Sequence, residues 1–171
     1  MELWDLYTEE RRLTGKTHIR GEELPDGLYH LVVHIWIKNS EVKYLISQRS
    51  ADRPTLPLMW ECVGGFVLQG ENSRQGAIRE VKEEVGVDLT GCEGGTVFSQ
   101  VRKTVNGRRF NDILDVWLFN YDGTVDLKNA ETDEVAQSKW LAPSEIREML
   151  ENGELVQTLS YFTKKIDVKQ P

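Results

Sequence analysis

The amino-acid sequence predicts one domain of mixed α/β class. Three observations point there. A chain of 171 residues is long enough to bury a single substantial core and carries no sign of a second. Residues 28–37 form an apolar run of strand length, and several shorter runs with strand patterning lie on either side of it in the chain. Among them, Ala77, Ile78, Val81 and Val85 recur at helical spacing, so an amphipathic helix is set into a series of strands.

The chain opens as a β-hairpin. Leu3-Trp4-Asp5-Leu6-Tyr7 forms one arm, Thr8-Glu9-Glu10-Arg11 a polar turn and residues 13–19 the return arm, with a loop closing at Pro25-Asp26-Gly27. Residues 1–27 therefore read as an extension to a main domain of residues 28–171. In the central strand, period two places His30, His34 and Trp36 on one face and Leu31, Val33, Ile35 and Ile37 on the other, the second being the core face. Residues 43–48 pair back on it across Lys38-Asn39-Ser40-Glu41. A proline-bearing loop, residues 50–57, leads to a short strand at 60–66. Asn72 or Ser73 can cap the helix that follows, Gln75 completes a capping box with Asn72, and Gly86 ends it.

Two further strands, 96–105 and 108–120, are joined by Asn106-Gly107, a pair suited to a two-residue hairpin turn. A loop over 121–136 precedes a last strand ending at Trp140-Leu141. Pro143-Ser144 then opens a helix to about residue 150. Residues 154–166 are predicted to form a terminal helix with Leu155, Leu159 and Phe162 as its apolar side. The chain has no internal repeat and no low-complexity tract.

Composition narrows the function. The most apolar run is far too short to span a bilayer, and the N-terminal residues carry neither a basic nor an apolar export segment, so a cytoplasmic protein is expected. Cys62 and Cys92 are the only cysteines and belong to no CxxC pair, which argues against a disulfide framework or a zinc site. A net charge of −7 speaks against binding nucleic acid. An acidic protein that takes an anionic substrate needs metal ions and a few placed Arg or Lys residues.

Much of that acidity is concentrated. Glu80, Glu83 and Glu84 lie within five positions of one another, just behind Arg79. Helical residues three and four apart share a face, so these carboxylates converge on one patch. Their repulsion costs the helix a few tenths of a kcal/mol per pair, roughly, and a divalent cation among them would offset it. The alternative is a solvated helix face salted with Lys82. The full string favours the cation. Gly65, Glu71 and the run Arg79-Glu80-Val81-Lys82-Glu83-Glu84-Val85-Gly86-Val87 resemble the signature of the Nudix hydrolases at every specified position.

That resemblance covers about residues 28–150. It implies an α/β/α sandwich with a mixed central sheet, to which the N-terminal hairpin is added. It also implies Mg²⁺-dependent cleavage of a diphosphate linked to another group, with Mn²⁺ able to substitute. Glu80, Glu83 and Glu84 are then the metal ligands, with the carbonyl of Gly64 or Gly65 beside them. Glu80 or Glu83 is also a candidate to take the proton of the attacking water, and sequence does not choose between base and ligand. Glu71 and Arg79 are implied to tie the loop to the helix by an ion pair. A further catalytic acid is expected from the loop before the last strand, where Glu134 occupies the matching place and Glu131 is the fallback.

The isopentenyl-diphosphate isomerase branch of the superfamily adds the substrate-binding candidates. Arg49 and Arg53 match basic residues that grip the diphosphate there, and His30 matches a metal-binding histidine. The same branch carries a catalytic cysteine and a second metal-binding histidine where this chain has Gly65 and Val67, and Cys62 lies too early to substitute. Arg102, Lys103, Arg108 and Arg109 form a basic hairpin tip, either solvated or overhanging the cleft. The expected activity is hydrolysis of a soluble small-molecule diphosphate such as a nucleoside diphosphate derivative, with no nucleic-acid or membrane partner and with a homodimer left open. An isoprenoid-diphosphate isomerase or hydrolase is the first rival. The second is a non-catalytic nucleotide sensor, against which the intact glutamate set argues.

Overall fold

Two strands, β1 (Leu3–Tyr7) and β2 (Leu13–Ile19), pair antiparallel as a separate ribbon in the computed structural model, which describes residues 1–105 and 107–168. The main sheet has seven strands: β3 (His30–Lys38), β4 (Tyr44–Arg49), β5 (Trp60–Glu61), β6 (Val63–Phe66), β7 (Gly94–Val105), β8 (Arg108–Asn120) and β9 (Val135–Leu141). Their order is β5-β4-β3-β8-β7, with β6 also on β3 and β9 also on β4. β3 and β8 run parallel from His30↔Asp112 to Lys38↔Asn120, and the other paired strands are antiparallel. Of the predicted hairpin turn, Asn106 lies outside the described residues, and Gly107 takes the left-handed conformation at φ +78°.

The strand predicted over 60–66 is interrupted at Cys62. β5 pairs with β4 through Ser47↔Glu61, whereas β6 pairs with β3 through Val32↔Phe66 to Ile35↔Val63. β3 and β4 themselves meet only at Lys38↔Tyr44. The chain thus crosses from one strand to the other at the point where the two part.

Both faces of the sheet are covered. Helix α1 (Ser73–Val85) lays Ala77, Val81 and Val85 on Leu31, Val33, Ile35 and Ile37. Asn72 is its N-cap, exchanging the two capping-box bonds with Gln75 at 2.9 Å each, and Gly86 closes it with φ +73°. On the opposite face, helix α2 (Pro143–Glu151) and the C-terminal segment pack on Val32, Trp36, Tyr44 and Ile46. The reading that confined the core to one face of β3 is therefore corrected: Val32 and Trp36 are buried as well, because a strand between two helical layers is covered on both sides.

The predicted terminal helix is also corrected. Residues 154–166 contain a 3₁₀ turn, Gln157–Leu159, and a single π-helical turn, Phe162–Ile166. Trp60 N–H donates to the Glu154 carbonyl and Val156 N–H to the Trp60 carbonyl, so the start of the segment runs extended beside β5. Edge-strand pairing wins over helical spacing there. Leu155, Leu159 and Phe162 are nonetheless all buried in the second cluster.

The N-terminal ribbon is fastened at several points. Tyr7 and Tyr29 exchange backbone hydrogen bonds of 2.8 and 2.9 Å, and Arg11 forms an ion pair with the buried Asp115. Trp4 stacks on His30 and Phe66 with ring centroids 4.2 and 4.7 Å apart.

Candidate active site

The end of β6 and the middle of α1 approach one another closely because Gly65 has no side chain. A Cβ there would lie 2.3 Å from the Glu80 carboxyl carbon, far inside contact distance. On the cleft side of this junction, α1 presents Glu80, Glu83 and Glu84 to a cavity of about 500 Å³, also lined by Gly64 and Gly65. Glu84 is only 5% exposed and forms no ion pair among the described residues. Burial raises its carboxyl well above the usual range and pushes Glu80 up to about 7, with neighbouring carboxylates adding to both.

Arg79 is the hub behind these acids. Its Nε donates to Glu71 Oε1 at 2.8 Å and its Nη2 to Glu71 Oε2 at 3.0 Å and to the Phe66 carbonyl at 2.7 Å. Its Nη1 donates to Glu80 at 2.9 Å and Glu83 at 3.0 Å. Glu71 accepts in turn from the Leu68 N–H at 3.0 Å, so one guanidinium ties the loop, the end of β6 and the helix together.

The opposite wall carries paired charges. Arg49 donates to Glu61 at 2.7 Å and holds the 50–58 loop through the Thr55 carbonyl at 3.0 Å. Arg53 pairs with Glu134. The backbone sets Glu134 in place: Glu131 and Thr132 donate to the Glu83 carbonyl at 2.8 and 3.0 Å, and Ser50 donates to the Glu134 carbonyl at 2.8 Å.

Among the described residues, no three His, Cys, Asp or Glu side chains already surround a single point as a metal cage. Glu80 and Glu83 are turned toward Arg79. The donor set still fits a hard cation such as Mg²⁺, which takes oxygen ligands and few of them from protein. Glu84 supplies a buried carboxylate with no counter-ion, and Glu80 a neighbour that burial leaves poorly stabilised as an anion.

The structure brings Arg49, Arg53, Glu80, Glu83, Glu84, Glu134, Gly64 and Gly65 to one cleft. It does not bring His30 there. That ring is buried under Trp4, its Nδ1 has no partner, and it is not among the residues lining the cavity. Glu131 is likewise outside, paired with Lys82 at 3.3 Å on the surface.

The basic hairpin tip, left open between solvent and cleft, divides: Arg102 and Arg108 line the cavity, and Arg102 is 7% exposed and holds Asp112 through two bonds of 2.7 and 2.8 Å. Lys103 and Arg109 do lie outside the cleft, paired with Glu9 and Asp26. Glu61, Cys62 and His34 also line the cavity. Asp112 and Asp115 inside the apolar run of β8 were the available signal, since buried carboxylates demand partners.

Comparison with known proteins bears on the same residues. A family model described as NUDIX domain matches residues 28–161. An uncharacterized Nudix hydrolase of Listeria monocytogenes is 36% identical over 159 residues, covering 91% of this chain and 89% of the relative. An isopentenyl-diphosphate Delta-isomerase of Nocardia farcinica is 26% identical over 148 residues, covering 85% and 82%. Among solved structures, DR0079 of Deinococcus radiodurans superposes with a TM-score of 0.71 at 21% identity, over 91% of this chain and 92% of that one, a likeness of fold. With the signature glutamates gathered on the cleft side of α1 and the family model spanning the sheet and both helices, the chain belongs to the Nudix family and is a Nudix hydrolase.

Proposed function

We propose that this chain is a Mg²⁺-dependent pyrophosphohydrolase that splits a small-molecule diphosphate joined to another group, with nucleoside diphosphate derivatives as the substrate class. The observation that carries it is Glu84, buried without a counter-ion beside Glu80, in a cleft whose far wall carries Arg49 and Arg53. Glu80, Glu83 and Glu84, with the carbonyl of Gly64 or Gly65, would hold the cation, and Mn²⁺ would serve in its place. When bound, the cation lowers the pKa of an attacking water and neutralises charge on the phosphoryl oxygens.

The chain's own groups do the rest. Arg49 and Arg53 are suited to grip the diphosphate, because each guanidinium offers a planar fork of donors. Glu61 and Glu134 hold them facing the cleft before substrate arrives. Glu80, Glu83 and Glu134 are the candidate proton acceptors, and burial pushes the Glu80 carboxyl up to about 7. Cys62 is 2% exposed and packs in the second apolar cluster, and burial raises its thiol well above the usual value, so it is no thiolate nucleophile.

A panel of diphosphates incubated with Mg²⁺ or Mn²⁺, with both products identified, tests this reading. Metal-dependent cleavage between the phosphoryl groups supports it. Double-bond migration on isopentenyl diphosphate that vanishes in Cys62→Ser would replace it with the isomerase, and tight nucleotide binding without turnover would replace it with a sensor.

A further inference from the structure

His34 stands on β3 opposite Gly64 of β6, and its ring lines the cleft. The Tyr161 hydroxyl lies 2.9 Å from His34 Nδ1 and 3.0 Å from the indole nitrogen of Trp36. An indole N–H can only donate, so the hydroxyl accepts from Trp36 and keeps its single proton to give. His34 Nδ1 is the atom placed to receive it. The Cys62 thiol also adjoins Tyr161, but sulfur is a weaker acceptor than an imidazole nitrogen. A neutral imidazole that accepts at one nitrogen carries its hydrogen on the other.

Neutrality follows from the same contact, since a ring that accepts at Nδ1 cannot carry a hydrogen on both nitrogens. Nothing among the described residues accepts from its Nε2, and the residue is only half-buried where it lines the cleft. Tyr161 is itself well braced. Its ring meets Phe98 edge-on at 4.9 Å, and its carbonyl accepts from Lys164 and Lys165 at 3.0 and 2.9 Å at the start of the π-helical turn.

We propose that His34 is a substrate-contacting residue whose Nε2–H donates to a diphosphate oxygen, and that Tyr161 is the positioning residue that fixes the tautomer. The proposal deepens the diphosphate reading and rests on it for the nature of the acceptor; the tautomer stands independently. A ring protonated at Nε2 has no lone pair to offer a cation from the cleft side. His34 would therefore hold the substrate directly while the glutamates across Gly64-Gly65 hold the metal.

The test uses the full chain with ¹⁵N-labelled histidine. Two-bond ¹H–¹⁵N spectra read the His34 tautomer, and methylenediphosphonate with Mg²⁺ serves as the unhydrolysable probe. We expect His34 protonated at Nε2, a shift of its signals on adding the probe, and loss of the single tautomer in Tyr161→Phe, which keeps the ring packing. His34→Ala should weaken probe binding roughly tenfold to a hundredfold, as expected of a hydrogen bond to a charged group, and His34→Gln should recover part of it. A proton on Nδ1, an unmoved His34 signal with probe present, or His34→Ala binding within twofold of wild type would each overturn the proposal. A wild type that binds the probe through His34 but cleaves no diphosphate would sink the hydrolase reading and leave His34 in its role.

Discussion

Glu84 concentrates the tension of the site in one side chain. Its carboxylate is buried, lacks a basic partner and sits beside another acid, so the folded protein holds it at a cost that a cation would offset. Glu84→Gln keeps the shape and removes the charge. The expected outcome is a fold at least as stable as wild type in EDTA, with kcat lower by ~10²–10⁴ at saturating Mg²⁺. Denaturation and steady-state kinetics on one preparation check both halves, and retention of half the wild-type kcat would remove Glu84 from the site. Gly65→Ala tests the close approach. Its Cβ would drive the Glu80 carboxylate out of place, so activity should fall at least tenfold, a shift of about 1.4 kcal/mol, with a small change in Tm. These residues were legible from sequence because their spacing on one helix is local. Arg102–Asp112 and His34–Tyr161 were not, since the first depends on cross-strand register and the second joins positions 127 apart.

Elements differ in how strongly local signals decide them. Helix α1 is specified three times over, by its cap, its apolar stripe and its terminal glycine, and the structure follows all three. Asn72→Ala removes one side of the capping box and should lower stability by ~1 kcal/mol with little effect on kcat, measured by urea denaturation and turnover together. The C-terminal segment shows the opposite case. Its apolar residues recur at helical spacing, but Trp60 offers backbone partners to residues 154 and 156, and a strand edge with free N–H and C=O groups outcompetes a short helix. The break at Cys62 was equally hidden, because changing the partner strand leaves no mark on alternation within 60–66.

At the scale of the whole molecule, the site ties stability to pH. Glu80 and Glu84 titrate higher in the folded metal-free protein than in the unfolded chain, so between those values the folded state binds more protons and stability falls as pH rises. His30 and His34 are depressed to about 4 and about 3 from 6.5, so they remove stability as pH falls below 6.5. Above that value the histidine trend is spent, and below the range where the buried Cys62 thiol adds a fall of the same sign the carboxylate trend is what remains. In EDTA the urea midpoint should therefore decline from about pH 6.5 to about 7.5, by up to about 1.4 kcal/mol per pH unit for each proton involved. Mg²⁺ should flatten or reverse the decline by displacing those protons, and at a hundredfold excess over its Kd should add ~2.7 kcal/mol. A midpoint in EDTA that stays flat, or one that Mg²⁺ fails to raise, would contradict a metal site among these acids.

The single pair Lys38↔Tyr44 between β3 and β4 makes the sheet two leaves joined at a corner. Elsewhere the seam is crossed by the chain at Cys62 and bridged by rings: Phe162 lies 4.8 Å from Trp36 on one leaf and 5.4 Å from Tyr44 on the other. Ring contacts tolerate small sliding far better than a hydrogen-bonded ladder does, because dispersion has little direction. The leaves carry different halves of the cleft, Arg49 on β4 and Gly64-Gly65 on the β6 strand bound to β3. The two walls of the cleft are thus set relative to one another by packed rings and by the chain crossing at Cys62, with no shared strand ladder between them.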